Sequence, residues 1–249
     1  TGPGGYRNEY LTALVASMEC PVANAAVTCH EEFAAHYINA ELPAWYYYIA
    51  TAIEEVALIK SFAKVAGGTP DVRPIGKGNC RRRAWCSQVM ADNAELLAEV
   101  FAPAQVAIGV KAGVSKIAFS VATHMELHPD QTGFKFDFSN AFNDIRRDKI
   151  LYEIYHNPKT IHLYKLYWCQ LWPKSLIKGI ESTSDEGGQQ GDPDIPTGFS
   201  ATIHPHIVRA RERILRSKGN LVFDMDDGYI MGPIHEVMQV VEDLAEELF

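Results

Sequence analysis

Apolar residues recur along this chain at two periods, and the switches between them mark the predicted elements. Alternation at period two predicts a half-buried strand, and recurrence near 3.6 predicts a helix with one buried face. Helical spacing predicts helices over Tyr6 to Met18, Glu31 to Glu41 and Ala44 to Ala66, the last broken by Gly67, Gly68 and Pro70. Further helices are predicted over Ala91 to Phe101, Ser115 to Leu127 and Ala141 to Tyr155. Another leaves the glycine-rich loop Gly187 to Asp192 and runs to Ser217, with a kink at Pro205. Gly133 to Phe138 alternates aromatic with polar or charged residues and predicts a strand. Two short apolar runs, Asn220 to Met225 and Tyr229 to Met231, flank Asp226, Asp227 and Gly228 and predict a hairpin. The last segment spaces Ile234, Val237, Met238, Val241, Leu244, Ala245 and Leu248 helically, with acids over most of the rest, and predicts an amphipathic helix.

This pattern puts carboxylates where strands end. Neighbouring strand residues point to opposite faces, so Asp226 and Asp227 serve one site only near a turn. Gly228 is expected to supply the backbone freedom for that turn. Taken alone, two aspartates and a glycine at a hairpin are ordinary turn residues. Asp137 ends the aromatic strand and precedes a helix, where a lone aspartate is commonly an N-terminal cap. A hairpin beside that strand would bring all three carboxylates to one sheet edge. They would then repel one another and raise each other's pKa unless cations lay between them. Mg²⁺ fits, because it prefers oxygen ligands and takes few carboxylates besides phosphate and water.

Composition narrows the setting. The 249 residues are 47% hydrophobic and 22% charged, enough for a sizeable core in one large domain or two small ones. The richest apolar stretch, Ala44 to Ile59, is interrupted by Glu54 and Glu55 and falls short of the roughly 20 apolar residues of a membrane span. No membrane association is expected. The chain opens on Thr1 without a signal-peptide pattern and reads as an excised domain. Five cysteines at irregular spacings form no disulfide framework, which points to an intracellular setting, nuclear or cytoplasmic. The net charge of −8 argues mildly against nucleic-acid binding. Local charge qualifies that, since Arg73, Lys77, Arg81, Arg82 and Arg83 face only Asp71 within one short segment.

The order of these pieces carries a resemblance. Arg73-Pro74-Ile75 with Arg82 and Arg83, the run Phe136 to Asn143, the loop Gln189-Gln190-Gly191-Asp192-Pro193 and the hairpin Met225-Asp226-Asp227-Gly228 follow one another along the chain. In that order they resemble the reverse transcriptases of non-LTR retrotransposons, over nearly all 249 residues. Pro3 to Leu11 is similar to that family's opening segment. The resemblance implies an α+β fold of right-hand polymerase type, with an antiparallel palm sheet backed by helices and the thumb missing. Residues 1–128 would form mainly helical fingers and residues 129–249 the palm.

It also implies an RNA-directed DNA polymerase that adds nucleotides from dNTP to the 3′-hydroxyl of a DNA primer on an RNA template. Asp137, Asp226 and Asp227 would hold two Mg²⁺ ions. Phe142 would be the steric gate against a ribose 2′-hydroxyl, and Gln190 and Gly191 would line the nucleotide and template base. Arg73 and Arg82 would contact the triphosphate, with Arg83 and Lys77 in reserve. Two positions depart from the family's pattern. Asp224 stands where an aromatic residue is usual, and Asp194-Ile195-Pro196 replaces a usual Leu-Gly-Pro. The alternative is a catalytically inactive module of the same kind that binds nucleic acid or protein.

Overall fold

The computed structural model describes residues 8–61, 71–138, 140–171, 174–177, 180–183 and 186–248. In chain order the elements are α1 (Asn8–Ala16), α2 (Pro21–Ile38), α3 (Ala44–Ala50), β1 (Ile53–Ser61), β2 (Asp71–Lys77), α4 (Cys80–Asp92), α5 (Ala94–Phe101), α6 (Gly113–Leu127), β3 (Thr132–Asp137), α7 (Ala141–Asp144), α8 (Arg147–His156), α9 (Tyr164–Trp168), β4 (Lys174–Ile177), β5 (Ile180–Thr183), α10 (Ile195–Arg216), β6 (Asn220–Asp224), β7 (Asp227–Gly232) and α11 (Ile234–Leu248). The fold is α+β, mostly helical with small sheets. It divides into two compact units that interleave along the chain, Thr1–Met90 with His162–Ile195, and Ala91–Ile161 with Pro196–Phe249. Most of the family-like opening segment at Pro3 to Leu11, and the predicted break at Gly67 to Pro70, lie outside the described residues.

The first unit holds a four-stranded sheet in the order β2-β1-β4-β5. Its pairs are antiparallel except β1 with β4. Here the expected helix over Ala44 to Ala66 is corrected. α3 stops at Ala50, where the Thr51 hydroxyl donates to the Tyr47 carbonyl at 2.8 Å, and β1 follows. Ile53, Val56 and Ile59 are β-branched and favour an extended chain. Their strand is completed by a partner distant in sequence, with Glu54 opposite Lys77 and Leu58 opposite Arg73. β2 is an edge strand, which tolerates the missing N–H of Pro74. Tyr37, Tyr47, Ala50, Trp85 and Cys169 form a buried aromatic core in this unit. The five cysteines are free thiols, of which Cys86 and Cys169 are buried.

The second unit holds an antiparallel three-stranded sheet in the order β3-β7-β6. Backbone bonds from Val106 to Phe223 (2.9 Å) and from Phe223 to Ala104 (2.8 Å) add a short parallel bridge at the β6 edge. Val106, Ile117 and Val222 close one hydrophobic cluster, which ties α6 to the sheet. α11 buries Val237, Val240 and Leu244 at helical spacing. Of the expected apolar face, Val237 and Leu244 are buried, while Ile234, Met238 and Ala245 are exposed and the buried stripe passes through Val240 instead. The expected helix over Ala141 to Tyr155 is two helices, α7 and α8, with Ile145 extended between them. Pro205 lies inside α10. Among the described residues no helix is long and apolar enough to cross a membrane.

Candidate functional site

The register of the three-stranded sheet decides which carboxylates meet. β3 pairs with β7 so that Asp137 lies opposite Asp227, and β7 pairs with β6 so that Asp227 lies opposite Asp224. Residues directly opposite share a face, with Cβ atoms about 4.5–5.5 Å apart. Three aspartates therefore form a row across one end of the sheet. Asp226 sits beside them in the two-residue connection between β6 and β7, and its carbonyl accepts the Phe138 N–H at 3.2 Å. Asp137 is the last residue of β3 and not a helix cap. The residue at the cap of α7 is Asn140, in the left-handed conformation at φ 54°.

Turn chemistry differs from the sequence expectation at one residue. The positive φ of the hairpin belongs to Met225 (54°), and Gly228 lies inside β7. Glycine is needed there for space. A Cβ on Gly228 would come within 2.3 Å of the Phe223 ring, which is fully buried on β6. Phe223 in turn packs with Phe136 and Phe138, each at 6.3 Å between ring centroids. An apolar layer thus supports one side of the strands whose ends carry the aspartates.

Like charges in a row are costly, and the side chains respond. Burial, followed by the charges of Asp227 and Asp137, pushes the Asp226 carboxyl above the usual carboxylate range. Burial, Asp227 and Asp226 do the same to Asp224. Lys135, two residues before Asp137 on the same strand face, donates to Asp227 Oδ1 at 2.7 Å. Its ammonium also lies 6.0 Å from the centre of the Tyr229 ring. That hydrogen bond raises the Lys135 pKa and leaves a fixed positive charge among the acids. The donors are hard oxygens and suit Mg²⁺, which commonly completes its shell with water and substrate phosphates. Among the described residues no three His, Cys, Asp or Glu side chains converge as a ready metal cage.

Phe142 is the second residue of α7, half-buried, with its ring edge-on to Phe199 at 5.4 Å. It belongs to the same unit as the aspartates. The other predicted site residues belong to the first unit. Arg73 is exposed on β2. Gly191 adopts φ 108°, a conformation that requires glycine, and Gln190 accepts the Gly76 N–H through its carbonyl at 3.3 Å. Arg82 is buried, with 2% of its side chain accessible, and its guanidinium is bonded to the equally buried Asp192. The expected triphosphate contact from Arg82 therefore meets a guanidinium already turned inward. Asn79 starts this helix, its Oδ1 accepting the Arg81 N–H at 3.0 Å.

Sequence reasoning assigned no role to Lys135, Asp192, Asp194 or Gln170. Asp192 stood inside a recognised motif, and Lys135 stood two places from Asp137 in a strand, so both had a positional signal. Gln170 had none, because its partners are remote in sequence. Comparison with models of known protein families gives no match, and no curated protein is significantly similar to the chain.

Proposed function

We propose that this chain is the nucleotidyl-transfer part of a retroelement reverse transcriptase, with right-hand polymerase fingers and palm. The observation that carries the proposal is the register that sets Asp137 opposite Asp227 with Asp226 in the adjoining turn. It supports the reading by pairing Asp137 with Asp227, about 90 residues apart in the chain, and leaving Asp226 in the turn beside them. In this reading Asp137, Asp226 and Asp227 would hold two Mg²⁺ ions. The bound metal supplies a lowered pKa for the primer 3′-hydroxyl and charge stabilisation for the departing pyrophosphate. The 3′-hydroxyl oxygen would attack the α-phosphorus in line, forming the new phosphodiester bond as the bond to pyrophosphate breaks and the hydroxyl proton passes to solvent.

The chain's own residues position these partners. Phe142 excludes a 2′-hydroxyl, Gln190 and Gly191 line the nucleotide and template base, and Arg73 offers an exposed guanidinium to the triphosphate. Lys135, bonded to Asp227, would compete with a metal ion for that carboxylate. Base pairing with an RNA template reads the sequence, so the protein contributes positioning, charge and shape.

The test is extension of a DNA primer on an RNA template with dNTP and Mg²⁺. Extension by the chain, lost in Asp226→Ala with its circular dichroism unchanged, is the expected result. Absence of extension overturns the enzymatic reading. The second reading, a silent module, is favoured by Asp224 in the carboxylate row and by the absence of a ready cage among the described residues. It predicts primer–template binding without extension.

A further inference from the structure

Behind the Gln190 loop lies a buried polar cluster to which the proposed chemistry gives no task. Arg82 on α4 donates through Nη2 to Asp192 and through Nη1 to Gln170 Oε1 at 3.3 Å. Gln170 passes the connection on, its Nε2 donating to Asp194 Oδ2 at 2.5 Å. The Tyr167 hydroxyl donates to the Asp194 carbonyl at 2.8 Å. Two buried carboxylates thus flank the turn from both sides of Pro193, and each is tied to a helix or its end. On the opposite side, the Gly76 N–H donates to the Gln190 carbonyl. The loop is held between β2 and this cluster.

Space has been cleared for the pair. A Cβ on Gly78, just past β2, would stand 2.9 Å from Arg82 Nη2 and 3.4 Å from Asp192 Oδ1. A side chain at Gly78 would press on the guanidinium. Arg82 Nε, Asp192 Oδ1 and Asp194 Oδ1 are buried with no hydrogen-bond partner among the described residues. Replacing such an ion pair with packed apolar side chains often costs a fold nothing, so its presence needs a reason other than stability. Position is that reason. A fork bonded to two separate segments fixes direction as well as distance.

We infer that Arg82 and Asp192 form a buried latch that sets where Gln190 and Gly191 stand, so that Arg82 is a positioning residue and not a ligand of the triphosphate. The inference rests on the reading of that loop as the nucleotide site. A triphosphate oxygen has no access to a guanidinium that is shielded from solvent and already paired with a carboxylate. Arg73, exposed on β2, presents its charge outward.

The experiment compares Arg82→Lys, Arg82→Gln, Asp192→Asn and the double variant Arg82→Gln/Asp192→Asn in the full chain. The readouts are KM for dNTP, kcat, and hydrogen exchange at the amides of residues 188–192. A latch raises KM roughly ten- to a hundredfold in each single variant, Asp192→Asn included, with faster exchange in the loop. It makes the double variant no worse than the worse single one, since both lose one interaction. Arg82→Lys keeps the charge without the fork and is expected to behave like Arg82→Gln. If Arg82→Gln raises KM while Asp192→Asn changes neither KM nor exchange, Arg82 is a direct ligand and the latch is wrong. Additive effects overturn it as well. Should Arg82→Gln fail to fold, Asp192→Asn and Arg82→Lys decide alone. A parent chain that does not extend primers overturns the polymerase reading, and the exchange rates still judge the latch.

Discussion

Gly228→Ala tests the packing beneath the carboxylate row without reference to any activity. The added Cβ would lie 2.3 Å from Phe223 Cζ and 2.4 Å from Cε1, about 1 Å short of ordinary contact. The ring has little freedom to withdraw. Phe223 is fully buried, with Phe136 and Phe138 against it and its backbone bonded to Ala104 and Val106. Overpacking of this kind costs about 1–3 kcal/mol, which lowers Tm by roughly 2–4 °C for each kcal/mol in a chain of this length. Urea unfolding followed by far-ultraviolet circular dichroism, with hydrogen exchange at β6 and β7, measures the loss in the unit concerned. Adding Phe223→Leu to Gly228→Ala should recover part of it, because the smaller side chain vacates the contested space. Met225→Gly provides the contrast. It relieves a left-handed backbone worth about 1 kcal/mol, offset by the greater freedom of glycine in the unfolded chain, and should be close to neutral. A Gly228→Ala chain within about 0.5 kcal/mol of the parent would refute the packing argument, since that is the range of ordinary surface substitutions.

Lys135→Met removes the cation bonded to Asp227, and is expected to lower the Mg²⁺ concentration giving half-maximal primer extension; an unchanged or higher value counts against competition between lysine and metal. Asp194 supplies a pH test. Burial first, and the Asp192 charge second, raise its carboxyl from 3.8 to about 6. A folded pKa above the unfolded one gives a contribution that is full below 3.8 and is lost as pH rises through about 6. Asp194→Asn should therefore gain stability relative to the parent as pH rises over that window, and parallel denaturation curves across it would contradict the assignment. Arg82→Ala leaves Asp192 buried and unpaired, at a cost of about 3–5 kcal/mol, whereas Arg82→Met/Asp192→Asn removes both charges and should cost less. Equal losses in urea unfolding would show that the pair is not the source.

Local pattern by itself determined the pieces whose cause is local. The aromatic alternation of Gly133 to Phe138, the two short runs around Asp226 and Asp227, and the amphipathic end of the chain are each β3, the β6–β7 hairpin and α11. Residue spacing alone sets these, because side-chain direction repeats every 2 or about 3.6 residues. The short elements β4, β5 and α9 carried no such signal, and β1 carried a misleading one. An apolar run suits a helix and a buried strand equally, and the choice for Ile53 to Ser61 was made by β2 and β4, its partners elsewhere in the chain.

The same distinction runs through the candidate site. Sequence named Asp137, Asp226 and Asp227 and could order them along the chain. The register that pairs Asp137 with Asp227, and adds Asp224 to the row, is a property of three strands together. Composition showed a cluster of arginines but could not separate Arg73, which is exposed, from Arg82, which is buried against a carboxylate 110 residues away. Gly228 was expected for its backbone freedom and is required for the room it leaves to Phe223. The compact units draw residues from both sides of position 128, an interleaving that no window of sequence contains. Chemistry-bearing residue types are written in the chain, whereas their burial, partners and charge state arise only when distant segments exclude water from one another.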